Sequence, residues 1–223
     1  MLSVVCGGAG FIGVNLTREL LRKGPVVCFD NLSLGSHENI AEFANDPGFS
    51  FIECDLADAT ATLGLFKKLD CAPADLDVWH LAANSDILAG VNDPEVDIKD
   101  TFQTTNSILA AMRAIDAKRI YFASSSAIYG DMGGAPMRED SAPLFPISNY
   151  GAMKLASEAL ISAANEAFLD TALLFRFPNV VGVPATHGVI YDFVRKLREN
   201  PETLPVLGDG SQRKSYLHAS DLV

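Results

Sequence analysis

The sequence has no C-x-x-C pair, no H-x-x-x-H or H-E-x-x-H spacing, no basic cluster and no apolar run long enough to span a membrane. Its four cysteines, Cys6, Cys28, Cys54 and Cys71, stand singly. Three lie at or near the ends of expected strands, where a thiol packs as a small inert hydrophobe. The histidines His37, His80, His187 and His218 are equally scattered, so no metal site is expected. Lys and Arg number 17 against 28 Asp and Glu, a net charge of -11. That balance, with a pI near 4.7, argues against nucleic acid or an anionic membrane as the main partner. The first residues lack the basic region and cleavage site of a secretory leader, and a cytoplasmic protein is the expectation.

What is present has ordinary globular proportions. The 223 residues, 48% hydrophobic and 20% charged, suffice for one ample core but not for two full-sized domains with a linker. The most informative stretch is CGGAGFIG, Cys6 to Gly13, which follows the apolar run Leu2–Val5. It leads into Phe11–Lys23, where Phe11, Ile12, Leu16, Leu20 and Leu21 recur at helical spacing. Strand, glycine turn and helix in that order make a pyrophosphate cradle. Gly7 permits the tight turn, Gly10 the close backbone approach and Gly13 the helix-on-strand packing, with phosphate facing the helix N-terminus. The glycines follow G-x-x-G-x-x-G spacing. A glycine turn before a helix is weak evidence alone, but the next short apolar run, Pro25–Phe29, closes on Asp30. An acid there accepts from a ribose 2′-hydroxyl and repels a 2′-phosphate, and no Lys or Arg occurs between Asp30 and Lys67 to offset it. The expected cofactor is therefore NAD and not NADP.

Downstream, strands are expected at Phe49–Glu53, Leu76–Leu81, Arg119–Ala123 and Thr171–Phe175, with short extended pieces at Pro205–Leu207 and Ser215–His218. Helices are expected near 38–44, from about Ala59, over Pro94–Ile115, from Tyr150, over Val189–Glu199, and as a short start at the end of the chain. Asp55 ends the third strand, and reads either as an adenine contact with Leu56 or as the N-cap of the next helix. Ala82, Ala83, Asn84 and Ser85 form a small-residue turn that lets a ligand come close. Strands and helices alternate with crossover-length connections, so the fold class is α/β, a doubly wound parallel (Rossmann) sheet of order 3-2-1-4-5-6.

Tyr150 and Lys154 lie four residues apart at a helix start and share a face. Isolated, that spacing is commonplace. Its context is Ser125 at the carboxyl end of the fifth strand, the edge that faces the crevice in such sheets. A phenol is a poor base at neutral pH, and a neighbouring ammonium together with an oxidised nicotinamide is expected to bring it toward working range.

GGAGFIG, Asp30 in FDN, Asp55 in CDL, HLAANSD from His80, SSSAIYG from Ser124, YGAMK from Tyr150, RFPN from Arg176 and GDGSQRKSY from Gly208 occur in one order along the chain. Over essentially its whole length the chain resembles the extended short-chain dehydrogenase/reductases, in particular the NAD-dependent nucleotide-sugar epimerases and dehydratases of the UDP-glucose 4-epimerase-like kind. The resemblance implies a 1–177 NAD-binding Rossmann domain and a partial substrate-binding lobe over 178–223, since such proteins continue well beyond this point. It implies Tyr150 as general base, Lys154 as ribose holder and tuner of Tyr150, and Ser125 as third member of the triad. Gly7, Gly10, Phe11, Ile12, Gly13, Asp30, Asn31, Asp55, Leu56, Leu81, Ala82 and Ala83, with Tyr150 and Lys154, would hold the cofactor. Ser85, Ser125, Asn179, Arg213 and Lys214 would meet a nucleotide-sugar, a UDP-sugar by the same likeness. Related dehydratases carry an Asp-Glu pair directly after the catalytic hydroxyl residue; here those positions are Ser126 and Ala127, which favours epimerisation at C4 over elimination. Lys214 replaces the usual diphosphate-binding arginine, with Arg213 beside it, and Cys6 stands where threonine is common. Small outer residues Ala159 and Ala163 and the family likeness both imply a homodimer. The alternatives are an NAD-dependent sugar-nucleotide dehydrogenase or reductase, and a non-catalytic NAD-binding regulatory protein.

Overall fold

A computed structural model describes residues 1–185, 188–206, 208–210 and 213–223. His187 and Leu207 lie outside the described residues, as do 211 and 212 of the GDGSQRKSY segment. The chain runs β1 (Leu2–Cys6), α1 (Phe11–Leu21), β2 (Val26–Asp30), α2 (His37–Ile40), β3 (Phe49–Glu53), α3 (Ala59–Phe66) and β4 (Leu76–His80). It continues through α4 (Ile87–Asn92), α5 (Pro94–Asp97), α6 (Thr104–Ala114), β5 (Arg119–Ser125), α7 (Asn149–Ala167) and β6 (Thr171–Phe177). β7 (Asn179–Val181), α8 (Val189–Glu199), β8 (Tyr216–His218) and α9 (Ala219–Leu222) follow. The main sheet has the expected order, β3-β2-β1-β4-β5-β6, and every pairing in it is parallel.

The alternation of side chains along β1 explains why the sheet is covered on both faces. Val4 and Cys6 enter a core built with Phe29, Phe66, Val78, Ile108, Met112, Ile120, Phe122 and Ile161, contributed by α3, α6, α7 and the strands between. Val5 points the other way, against Leu16 and Leu20 of α1 and against Val26 and Cys28. A strand wanted by two cores must be apolar at successive positions, which is how LSVVC reads. Phe66 is buried and packs on Phe29 with ring centroids 5.9 Å apart.

Several elements differ from the sequence expectation at their ends. β5 and β6 each run two residues further than expected, because Ser124 pairs with Arg176 and Ser125 with Phe177 at the crevice edge. The Pro94–Ile115 helix is interrupted by a π-helical stretch, Ile98–Gln103, a form common where a helix lines a functional site. The cap of α3 is Asp58, whose side chain accepts from the amides of Thr60 and Ala61, so Asp55 is not that helix's cap. β7 was not expected and pairs in parallel with β8 in a separate two-stranded sheet, whereas Pro205 and Val206 form no strand. This distal segment rests on α1: Asn15 Nδ2 donates to the carbonyls of both Phe11 and Val183, at 2.9 Å each. Replacing Phe66→Ala is expected to cost about 3–5 kcal/mol of folding free energy through transfer and cavity terms, read as a lower urea midpoint at unchanged slope.

Candidate active site

The carboxyl ends of the strands open on a cleft of about 940 Å³, between the neighbours β1 and β4, from which the chain continues in opposite directions, to β2 and to β5. Sequence-distant residues meet there. The turn residues Gly7 and Gly10, and Phe11, Ile12 and Gly13 from the first turn of α1, form one wall. Asp30 and Asn31 follow β2, Asp55 and Leu56 follow β3, and Leu81, Ala82, Ala83 and Ser85 follow β4. Ser125, Tyr150 and Lys154 stand beyond them, and Asn179 lines the far side. Arg213 and Lys214 do not join them: both are exposed and outside the cleft lining. Asn179 is instead tied locally, its Nδ2 donating to the Ser215 carbonyl at 3.3 Å.

The glycine turn fits a phosphate-bearing dinucleotide. Gly7 has φ +86°, and a Cβ there would lie 2.7 Å from the Ala82 amide nitrogen. At Gly13 an added Cβ would collide with the Gly7 carbonyl, so both glycines are sterically required. Gly10 caps α1 without a side-chain bond, which leaves the first-turn N–H groups directed outward, available to an anion. Asp30 is buried; its Oδ2 accepts from the Ala9 amide at 3.0 Å and its Oδ1 from the Leu32 amide at 2.8 Å. Burial pushes its carboxyl up, against the lowering effect of the Leu32, Ala9 and Asn31 amides. Each oxygen keeps a lone pair for a ribose hydroxyl, and no lysine or arginine is paired with it among the described residues. Asp55 is held by the Lys99 ammonium at 2.9 Å and by the Ala57 amide at 3.0 Å.

Tyr150, Lys154 and Ser125 come together because α7 starts over the end of β5. Ser148 caps the helix by accepting from the Gly151 amide, which sets Tyr150 in the first turn. Ser125 Oγ accepts from the Ala127 amide at 3.2 Å, opening a short 3-10 turn, Ser126–Tyr129. Lys154 is 1% exposed. Its Nζ donates to the Ala123 carbonyl at 2.6 Å and lies 4.7 Å from the Phe122 ring centroid and 5.8 Å from that of Tyr150. Burial holds the Lys154 ammonium down to about 7, with the Glu158 carboxylate opposing. Burial also pushes the Tyr150 phenol up to about 12; a hydrogen bond from Ser125 lowers it and the Asp97 charge raises it. The expected lowering of the phenol by its lysine is therefore outweighed, since the same burial that raises one group discharges the other.

Beneath this row lies a second polar layer. His80 Nε2 meets Thr105 Oγ1 at 2.8 Å, and burial, with Lys154 nearby, keeps the imidazole neutral. Asn84 Nδ2 donates to Asp97 Oδ1 at 2.8 Å and to the Asp86 carbonyl, and Thr101 Oγ1 accepts from the Asn84 amide. Sequence reasoning missed Asp100 and Thr104, which the π-helical stretch turns into the cleft, and Tyr191, Arg195 and Arg198 of α8. The last three share one face at helical spacing, a visible pattern, but which face met the cleft was not readable.

A sequence profile of the NAD-dependent epimerase/dehydratase family matches residues 3–223. The chain belongs to that family. NAD is its cofactor, and the cradle, Asp30 and the cleft fit it. The UDP-glucose 4-epimerase of Mycolicibacterium smegmatis is 31% identical over 230 residues, covering 100% of this chain and 71% of the relative. A crystal structure of a UDP-galactose 4-epimerase superposes with a TM-score of 0.85 at 38% identity, over 99% of this chain and 68% of the other. A dTDP-glucose 4,6-dehydratase double mutant from Streptomyces venezuelae, solved with NAD bound, gives 0.89 at 29% identity, over 100% of this chain and 69% of the other. The epimerase/dehydratase chains in this comparison thus run well past the length aligned here.

The pH dependence of stability follows from Lys154. Its ordinary value is 10.5 and its folded value about 7, so from about pH 7 to 8 the unfolded chain binds more protons and stability rises with pH. Higher up, burial holds the thiols of Cys6, Cys28 and Cys54 above their ordinary 9.0, so the unfolded chain loses those protons first and offsets the rise, and above about pH 10 the unfolded phenol ionises before the buried Tyr150 and adds to the fall. Urea unfolding from about pH 7 to 8 is expected to show the rise in the wild type and to lose it in Lys154→Met.

Proposed function

We propose that the chain is an epimerase of nucleotide-sugars that inverts the C4 hydroxyl centre through a transient ketone, with UDP-hexoses as the substrate class. The observation that carries this reading is the composition of the cleft around Ser125. Tyr150 and Lys154 are present, but the acids lining the cleft are Asp30, Asp55, Asp100 and Glu199. Ser126 and Ala127 occupy the two positions after Ser125, where an eliminating enzyme needs an acid and a base. An exchange of electrons at one carbon needs only a proton carrier and the dinucleotide.

Bound NAD supplies the two-electron acceptor for the carbinol, returns those electrons to the ketone, and brings a positive ring charge while oxidised. Tyr150 takes the hydroxyl proton and returns it to the same oxygen after the ring has presented its other face. Ser125, beside the phenol at the end of β5, is placed to share that proton. Lys154, when charged, favours the phenolate and is placed to hold the nicotinamide ribose. Asp30 selects the 2′-hydroxyl form of the cofactor, and Asp55 with Leu56 bounds the adenine. Asn179, with Ser85, faces the sugar-nucleotide; the 1–177 unit carries the cofactor and the 178–223 unit the start of the substrate side. Pairing of two copies through the outer side of α7, where Ala159 and Ala163 are exposed, is the assembly this reading favours.

Incubation with UDP-glucose or UDP-galactose is expected to interconvert the two with no lasting rise in NADH absorbance. Tyr150→Phe should lower the rate by about 100- to 10,000-fold while leaving NAD affinity within about threefold, a change under 1 kcal/mol. Net NADH accumulation would establish a dehydrogenase instead, and a 4-keto-6-deoxy product would establish a dehydratase.

A further inference from the structure

Three side chains of α7 meet the end of β5 at four-residue spacing, Tyr150, Lys154 and Glu158, and the third has no part in the chemistry above. Glu158 is buried, yet fully engaged. Its Oε1 accepts from Ser124 Oγ at 2.5 Å and from Arg176 Nε at 3.1 Å, and its Oε2 from Arg176 Nη2 at 2.8 Å. Arg176, on β6, also donates through Nη1 to Tyr129 Oη at 3.1 Å and to the Glu139 carbonyl at 2.9 Å. One carboxylate thus joins α7, β5, β6 and the loop that follows the 3-10 turn.

We propose that Glu158 is a positioning residue of this site: its carboxylate, seated between Arg176 and Ser124, fixes the register of α7 on β5 and supplies the counter-charge to Lys154. The register argument is electrostatic. A buried carboxylate that parts from its cation is left uncompensated, at a cost of several kcal/mol, so α7 has one seat on the sheet and not a range of them. Two turns along, that seat is what brings Tyr150 to Ser125. The counter-charge argument follows from spacing, since Lys154 lies one turn from Glu158 on the same face and, among the described residues, its ammonium makes its hydrogen bond to the neutral Ala123 carbonyl. Among the described residues the titratable groups facing Lys154 are Tyr150 and Glu158 of its own helix and His80 of β4, while Arg176 of β6 pairs with Glu158 behind it and the Asp97 charge acts on Tyr150. Among them Glu158 opposes the discharge of Lys154 by burial.

The inference rests on Lys154 being the partner of Tyr150, but its test needs no substrate and stands apart from whether the chain epimerises a sugar. The Nζ of Lys154 is followed by pH titration of the ¹⁵N-lysine-labelled full chain, with and without NAD, and is assigned by its loss in Lys154→Met. Glu158→Gln keeps the shape and removes the charge; its Lys154 midpoint is expected to fall by about half a pH unit or more. Arg176→Gln removes the cation that shares the carboxylate, and the midpoint is expected to rise. A purely structural pair would lower thermal stability in both variants and leave both midpoints in place, which would overturn the proposal. If Glu158→Gln fails to fold, the direction of the Arg176→Gln shift alone decides: an unchanged or lower midpoint refutes it.

Discussion

An amine buried where water cannot reach it governs the architecture of this site. Lys154 must be either neutral or compensated, and its surroundings offer one backbone carbonyl, two aromatic faces and a carboxylate one turn away. These come from two elements, β5 and α7. Ala123 needs β5 to end where it does, Phe122 needs the strand's alternation, and Tyr150 needs the Ser148 cap to start α7 in phase. Moving α7 by a single residue would break all three relations together, so the catalytic geometry and the helix-on-sheet packing are one requirement.

The cleft itself is a consequence of topology. The chain leaves β1 toward β2 on one side and leaves the adjacent β4 toward β5 on the other, so the loops at the carboxyl ends of these two neighbours part over the first glycine turn. Gly7 sits at that parting with the Ala82 backbone against it, so the site has no room for a side chain and room for a ligand beside it. The acid at Asp30 does double duty. Its bonds to the Ala9 and Leu32 amides brace the turn, and what remains of its accepting capacity faces the cleft.

Much of this was legible in advance, for identifiable reasons. Strand order and the glycine–Asp30 pairing follow from patterns carried by contiguous residues and from the handedness of crossovers. Ser125, Tyr150 and Lys154 were found because two share a helix face and the third closes a strand. The π-helical stretch was invisible because Ile98–Gln103 has an unremarkable helical sequence; what turns Asp100 and Thr104 inward is the extra residue in the turn, a backbone event. The Glu158–Arg176 pair was half legible: the spacing from Lys154 was on view, but its partner lies across the sheet. Arg213 and Lys214 came from the family likeness, which does not say which way the loop that carries them faces in this chain. The rise of the phenol by burial was not readable, because the sequence carries no measure of depth.

The paired hydrogen bonds of Asn15 tie together the two sides of the cleft. One amide nitrogen serves the carbonyl of Phe11, in the first turn of α1, and that of Val183, on the segment after β7. The helix end that offers its N–H groups to a pyrophosphate is therefore fastened to the chain that walls the opposite side. The cradle for the pyrophosphate and the wall facing it hold their spacing through a single side chain.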